Sequence, residues 1–102
     1  SDLAIASLAG MTAVECYGVV GMASTKATDG LNELLKRENL ARGVKVTTAD
    51  DSVMIDLYVI VEYGISINAV CTSVLDTIKY KVETLMGIHV SKIHVHVQSV
   101  RV

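Results

Sequence analysis

An alternation of apolar and polar side chains over residues 53–63 is the strongest constraint that this sequence places on its fold. Every second residue from Val53 to Val61 is aliphatic, whereas Asp56 lies between them and Glu62 follows them. A period of two places side chains alternately on opposite faces of a β-strand and does not fit a helix. The segment therefore predicts one long strand with an aliphatic face turned toward a core.

The rest of the chain supplies partner strands and helices for this strand. We predict a hairpin between residues 44–49 and 53–58, because Asp50-Asp51-Ser52 favours a tight turn. The second half of the long strand then needs another neighbour. The longest helix should run from a Ser66 cap to about Met86, with Gly87 after its end. The other predicted elements are a helix over 2–16, a short strand over 18–22, a polar loop over 23–30, a helix over 31–37 and a strand over 90–100.

These elements predict an α+β fold in a single small domain that spans residues 1–102. Their order is α-β-α-β-β-α-β, and we expect a mixed or antiparallel sheet of about three or four strands, covered by helices. The composition agrees, because 16 Val and 8 Ile favour strands, while the chain contains no Pro, Phe or Trp. The longest helix should cover the sheet with one apolar face, formed by Ile67, Val70, Cys71, Val74, Leu75, Ile78, Val82, Leu85 and Met86.

The charge distribution excludes several classes of partner. Nine basic and eleven acidic residues give a net charge of −2, which argues against nucleic-acid binding and against a polybasic membrane binder. Residues 3–23 carry one charged residue, Glu15, yet Gly18 and Gly21 interrupt the segment and no basic residue precedes it. We therefore expect two short elements there and no direct membrane insertion.

The nucleophilic residues form no motif that is typical of catalysis. Cys16 and Cys71 fit no metal-binding spacing, and their apolar neighbours predict buried, reduced thiols in a cytoplasmic protein. The sequence contains neither a nucleophile elbow nor a phosphate-binding loop. We therefore expect a protein that is not an enzyme and that carries no cofactor.

Two histidines in the last predicted strand are the sharpest chemical feature of the sequence. His94 and His96 are two residues apart and therefore point to one face of the sheet, as a pair of metal ligands requires. His89 is a candidate third ligand, and Asp56 or Glu62 could add a carboxylate. Exposed strands also tolerate histidine without any ligand. The expectation is therefore no resident metal, with these histidines as the candidates if a site exists.

The outer side of the long strand carries apolar residues where a one-sided sheet would be polar. Such residues mark either a protein contact or a surface that another layer covers, here the N-terminal helix. Val100 and Val102 add to them from the end of the chain. The predicted interaction surface consists of Met54, Tyr58, Ile60, His94 and His96.

Several segments together also match a known sequence pattern. They are residues 5–10 (IASLAG), 17–22 (YGVVGM), 43–46 (GVKV), 53–67 (VMIDLYVIVEYGISI), 86–88 (MGI) and 90–98 (VSKIHVHVQ). Through them nearly the whole chain resembles the bacterial alkaline shock protein family, also called the envelope stress response (YloU-like) family. One position departs from the pattern, because Asn68 stands where such sequences often have Pro.

The resemblance implies a small, non-enzymatic protein of Gram-positive-type bacteria that supports cell-envelope homeostasis through protein contacts. Family members self-associate, which implies a homo-oligomer. They are cytoplasmic, some are held at the membrane by a membrane-anchored partner, and short members are associated by gene neighbourhood with a fatty-acid kinase system. The resemblance brings no catalytic residue and no role for His94 or His96. A metal- or small-ligand-binding accessory protein that uses these two histidines remains the alternative.

Overall fold

The computed structural model of the chain describes residues 2–24 and 37–102. Residues 31–36 of the helix predicted over 31–37, and most of the loop predicted over 23–30, lie outside these residues. The elements follow the predicted order and confirm the α+β class. They are α1 (Asp2–Glu15), β1 (Val19–Met22), a 3₁₀ helix (Arg37–Gly43), β2 (Val44–Ala49), β3 (Ser52–Glu62), α2 (Ile67–Met86) and β4 (His89–Arg101).

Strand β3 is the centre of a mixed sheet, because it pairs along both of its edges. Strand β4 runs parallel to it along one edge. On the other edge, β2 pairs antiparallel with residues 52–57 and β1 pairs antiparallel with residues 59–61. The two short strands therefore lie end to end. This confirms the predicted hairpin and supplies the extra neighbour that the second half of β3 requires.

Both α-helices pack on the same face of this sheet. One buried cluster joins Ile5 and Ala9 of α1, Val74 and Ile78 of α2, and Ile55 of β3. The N-terminal helix therefore does not cover the opposite face of the sheet. This excludes one of the two explanations for the apolar residues on that face, namely that the N-terminal helix packs on them. We call the face turned away from α1 and α2 the outer face.

Helix α2 connects the two long parallel strands and begins and ends at the predicted residues. The Ala69 amide donates a hydrogen bond of 3.3 Å to the Ser66 hydroxyl, and Gly87 ends the helix in the left-handed conformation with a φ of 67°. Its 20 residues rise about 30 Å, which is enough to return the chain along β3 before β4 starts. No helix in residues 2–24 and 37–102 is long and apolar enough to cross a membrane.

The sequence predicts a wider apolar face on α2 than the face that the structure buries. Val70, Val74, Ile78 and Val82 are fully buried along its middle. Two of the nine predicted core residues, Ile67 and Leu85, are exposed instead, because they lie in the first and last turns of the helix. The helix therefore covers the sheet with its central three turns.

The two cysteines are free thiols. Both are partly buried, less completely than the apolar sequence around them predicts. Burial raises the pKa of the Cys16 thiol, and it also raises the pKa of the Cys71 thiol. Both groups are therefore weak nucleophiles at neutral pH, because the thiolate is the reactive form.

Candidate functional site on the outer face

Four side chains from β3 and β4 meet on the outer face of the sheet. The parallel register pairs Asp56 with His94 and Tyr58 with His96. Side chains of paired residues lie on the same face, as do side chains two residues apart on one strand. We call Asp56, Tyr58, His94 and His96 the outer-face cluster.

The carboxylate of Asp56 is the centre of the outer-face cluster. Its Oδ1 lies 2.9 Å from His96 Nε2, a hydrogen-bond distance, and 3.5 Å from His94 Nδ1. One carboxylate oxygen thus faces two imidazole nitrogens. This arrangement attracts a positive charge, either a proton shared with an imidazole or a bound cation.

The aromatic ring of Tyr58 holds the His96 imidazole in place. The two rings are stacked, with centroids 4.5 Å apart and planes only 12° from parallel. The His94 ring meets His96 edge-on at 6.2 Å and 90°. Contacts of both kinds are favourable geometries for planar rings. His96 is therefore oriented from two sides, by Asp56 at its Nε2 and by Tyr58 at its face.

Ile60 is not part of this exposed surface, so that part of the predicted interaction surface is wrong. Its side chain is fully buried. Its neighbours Val59 and Val61 belong to the core cluster shared with both helices, whereas Ile60 is buried outside that cluster. The pairing of β3 with β1 shifts register between Val19 and Gly21, and the pairing with β4 shifts between Val59 and Ile60. Met54, by contrast, is 37% exposed on the outer face.

His89 and Glu62, two candidate ligands, lie away from the outer-face cluster. His89 begins β4, and its Nδ1 lies 3.2 Å from Oε2 of Glu83 on α2. Five residues separate it from His94, or about 16 Å along an extended strand. Glu62 lies at the far end of β3, opposite Arg101. The structure therefore selects Asp56 as the carboxylate and leaves His94 and His96 as the histidine pair.

Glu83 ties the last turn of α2 to the start of β4. Its Oε2 accepts a hydrogen bond of 3.0 Å from the Val90 amide and faces His89. The hydrogen bond from Val90, with smaller contributions from Lys79 and His89, lowers the pKa of the Glu83 carboxyl below its ordinary 4.5. The ionised carboxylate is thus the form that the fold stabilises.

We expect Glu83→Gln to weaken the acid dependence of folding. A lowered pKa stabilises the folded state above the ordinary value of 4.5, and this stabilisation is lost as the pH falls through the lower folded value. Urea midpoints measured from neutral pH down through pH 4.5 should therefore fall less steeply for the variant than for the wild type. Parallel curves for the two proteins would contradict the assignment.

A groove at the start of α2 is a surface feature that the sequence did not indicate. It encloses about 310 Å³ and is lined by Tyr17, Ile65, Ser66, Ala69 and Val70, together with Gly64 and Ser73. Its lining comes from Tyr17, just after α1, and from residues 64–73, which lead from β3 into the first two turns of α2. No charged side chain lines it, and its polar side chains are hydroxyls.

Comparisons with known proteins connect the chain to one family. The model of the alkaline shock protein (ASP23) family, described by a cell envelope-related function, matches residues 1–102. The uncharacterized protein YloU of Bacillus subtilis (strain 168) is 45% identical over 103 residues, which cover 100% of this chain and 86% of that protein. The uncharacterized protein Spy1614 of Streptococcus pyogenes serotype M6 is 37% identical over 103 residues, which cover 100% of this chain and 85% of that protein. No solved structure gives a significant match.

Proposed function

The chain belongs to the ASP23 family, which has a cell envelope-related function, and from this premise we propose that it supports the envelope by binding proteins, above all other copies of itself. The match along residues 1–102 confirms the resemblance seen in the sequence. The role that we propose is non-catalytic and cytoplasmic. The further partner of the chain in this role is a membrane-anchored protein or a protein of a fatty-acid kinase system.

The outer face of the sheet is the observation that carries this proposal. Helices α1 and α2 both pack on the opposite face, so neither covers the outer-face cluster. Tyr58 and His96 form a stacked, half-buried pair of rings there, and the exposed Met54 lies four residues before Tyr58 on the same strand. Tyrosine and methionine are enriched in protein contacts, and tyrosine buries a large area at a small cost in entropy.

The free edge of β4 supports a second copy of the chain as the partner. In the part of the chain that the structure describes, β4 pairs with β3 along one edge and with no strand along the other. Register shifts interrupt the strand at both ends of the stretch from Lys92 to Val97, which leaves six regular residues. Six residues are an ordinary strand length. An antiparallel pair of such edges is a two-fold contact, the commonest kind in homodimers, and it would bring the outer-face clusters of the two copies side by side on one continuous sheet.

The charges around the outer-face cluster are compatible with such a self-contact. Asp56 contributes one negative charge, and the exposed Lys92, which pairs with Met54 in the register, contributes one positive charge. In a two-fold contact, the same surface of each copy faces the other copy. The mixed signs then allow Lys92 of one copy to approach Asp56 of the other without placing a large patch of like charge against itself.

Replacing Tyr58 by Asp should weaken self-association by about 30-fold or more. The change removes the stacked ring and places a second carboxylate beside Asp56, and truncation of a central tyrosine in an interface commonly costs about 2 kcal/mol. Sedimentation velocity over a concentration series measures the effect.

Tyr80→Asp is the matched control for this experiment. Tyr80 is 70% exposed on α2, on the other side of the molecule from the outer face. This variant should associate like the wild type, and circular dichroism should show that both variants are folded. A wild type that remains monomeric, or a Tyr58→Asp variant that associates like the wild type, would contradict the proposal.

A further inference from the structure

Three potential metal ligands of the outer-face cluster converge on one point. Asp56, His94 and His96 each offer one ligand atom, and these atoms all lie within 4.8 Å of one another; this is the only such group of three among residues 2–24 and 37–102. We propose that these three side chains form a Zn²⁺ site that is complete within a single chain. The site requires no second copy, so it does not depend on the self-association proposed above.

Two of the three distances between ligand atoms, those to Asp56, are close to the distances that Zn²⁺ requires. Tetrahedral Zn²⁺ binds nitrogen at about 2.0–2.1 Å and oxygen at about 2.0–2.2 Å, so neighbouring ligand atoms are about 3.3–3.5 Å apart. The separation of 3.5 Å between Asp56 and His94 already agrees with this. The separation of 2.9 Å between Asp56 and His96 is that of a hydrogen bond. It needs to open by about half an ångström when the ion takes the place of the shared proton.

The strands hold the three ligands in this arrangement before any ion arrives. Asp56 and His94 are direct partners in the parallel register, and His96 follows two residues later on the same face. The stack with Tyr58, with planes 12° apart, limits rotation of the His96 ring. Ligands on paired strands are positioned more rigidly than ligands on loops. Little reorganisation is therefore needed to bind a metal.

The donor atoms select the kind of ion. Two imidazole nitrogens and one carboxylate oxygen favour Zn²⁺ and neighbouring transition metals over Mg²⁺ and Ca²⁺, which prefer sites built from oxygen. Asp56 also supplies a negative charge against the charge of the ion. Its own side chain is only 20% exposed, whereas those of His94 and His96 are 47% and 39% exposed. The ion can thus enter from solvent, and a fourth coordination position faces outward.

Isothermal titration calorimetry, in which zinc chloride is added to the metal-stripped full chain, tests the proposal. We expect one zinc ion per chain. His96→Ala and Asp56→Asn should each weaken binding by at least about tenfold, since the first removes a ligand and the second removes the negative charge of the carboxylate. His89→Ala is the matched control, because it removes an exposed histidine that contacts Glu83 outside the cluster. That variant should bind zinc like the wild type.

Cobalt(II) provides a second readout that reports on geometry. Co²⁺ bound in place of Zn²⁺ should give the intense visible absorption of tetrahedral coordination, and His94→Ala should abolish it. Absence of saturable binding at micromolar zinc would overturn the proposal, as would unchanged binding in His96→Ala. One ion shared between two chains would contradict a site that is complete within one. Sedimentation in the same buffer separates the two proposals. A chain that binds zinc and stays monomeric would support the zinc site and contradict the self-association.

Discussion

Replacing Val74 by Asp is expected to unfold the protein. Val74 is fully buried at the middle of α2, within the cluster that joins both α-helices to the sheet. An aspartate there would lose the packing of the valine and would bury a carboxylate among apolar side chains. A buried charge without a partner costs several kcal/mol, so we expect a loss of about 5 kcal/mol or more. Small domains are stable by only about 5–15 kcal/mol.

Thr72→Asp controls for the effect of a new acidic residue on α2, because Thr72 lies exposed on the same helix. Urea unfolding followed by circular dichroism compares the two variants. Thr72→Asp should stay within about 0.5 kcal/mol of the wild type, as substitutions on exposed surfaces usually do. If Val74→Asp folds as stably as Thr72→Asp, then α2 does not cover the sheet in the way described.

Replacing Gly18 by Ala should cost considerably more stability than the same change at Gly64. Both glycines have a left-handed backbone, with φ values of 88° and 87°, which penalises any side chain by about 1–2 kcal/mol. A Cβ at Gly18 would also lie 2.5 Å from Cγ2 of Val70 and 3.1 Å from Cγ2 of Ile65, whereas a Cβ at Gly64 would meet nothing within 4 Å. Val70 is buried and β-branched, so its methyl group has little freedom to move away.

The difference between these two variants isolates the steric contact from the backbone strain. Overpacking costs about 1–3 kcal/mol, so Gly18→Ala should be less stable than Gly64→Ala by about that amount. For a domain of this size the difference corresponds to a fall in the melting temperature of roughly 5 °C per kcal/mol. Equal melting temperatures would show that the chain between α1 and β1 does not approach α2 as closely as the structure indicates.

Elements with a strong local signal were predictable from the sequence. The alternation over β3 gave its extent to within one residue, because a half-buried strand alternates whatever its neighbours are. Ser66 and Gly87 marked the ends of α2, since capping depends on the backbone conformation of a single residue. The pairing of β2 with β3 followed from the turn at Asp50 and Asp51.

Features that depend on register could not be predicted in the same way. Ile60 is an outward position in the alternation, yet its side chain is fully buried, which the pattern of a single strand cannot indicate. The stack of Tyr58 on His96 joins residues far apart in the sequence, and a shift of one residue would have removed it. The same holds for Asp56, which the sequence offered alongside Glu62 without distinguishing them.

Nuclear magnetic resonance of the full chain at increasing concentration tests most directly whether the outer face is the contact surface. As the protein self-associates, the backbone amide signals of residues 54–58 and 92–97 should shift or broaden. The signals of Tyr80 and Leu85, which expose apolar side chains on α2, should stay unchanged. The opposite pattern, with changes at Tyr80 and Leu85 and none on the outer face, would contradict this account.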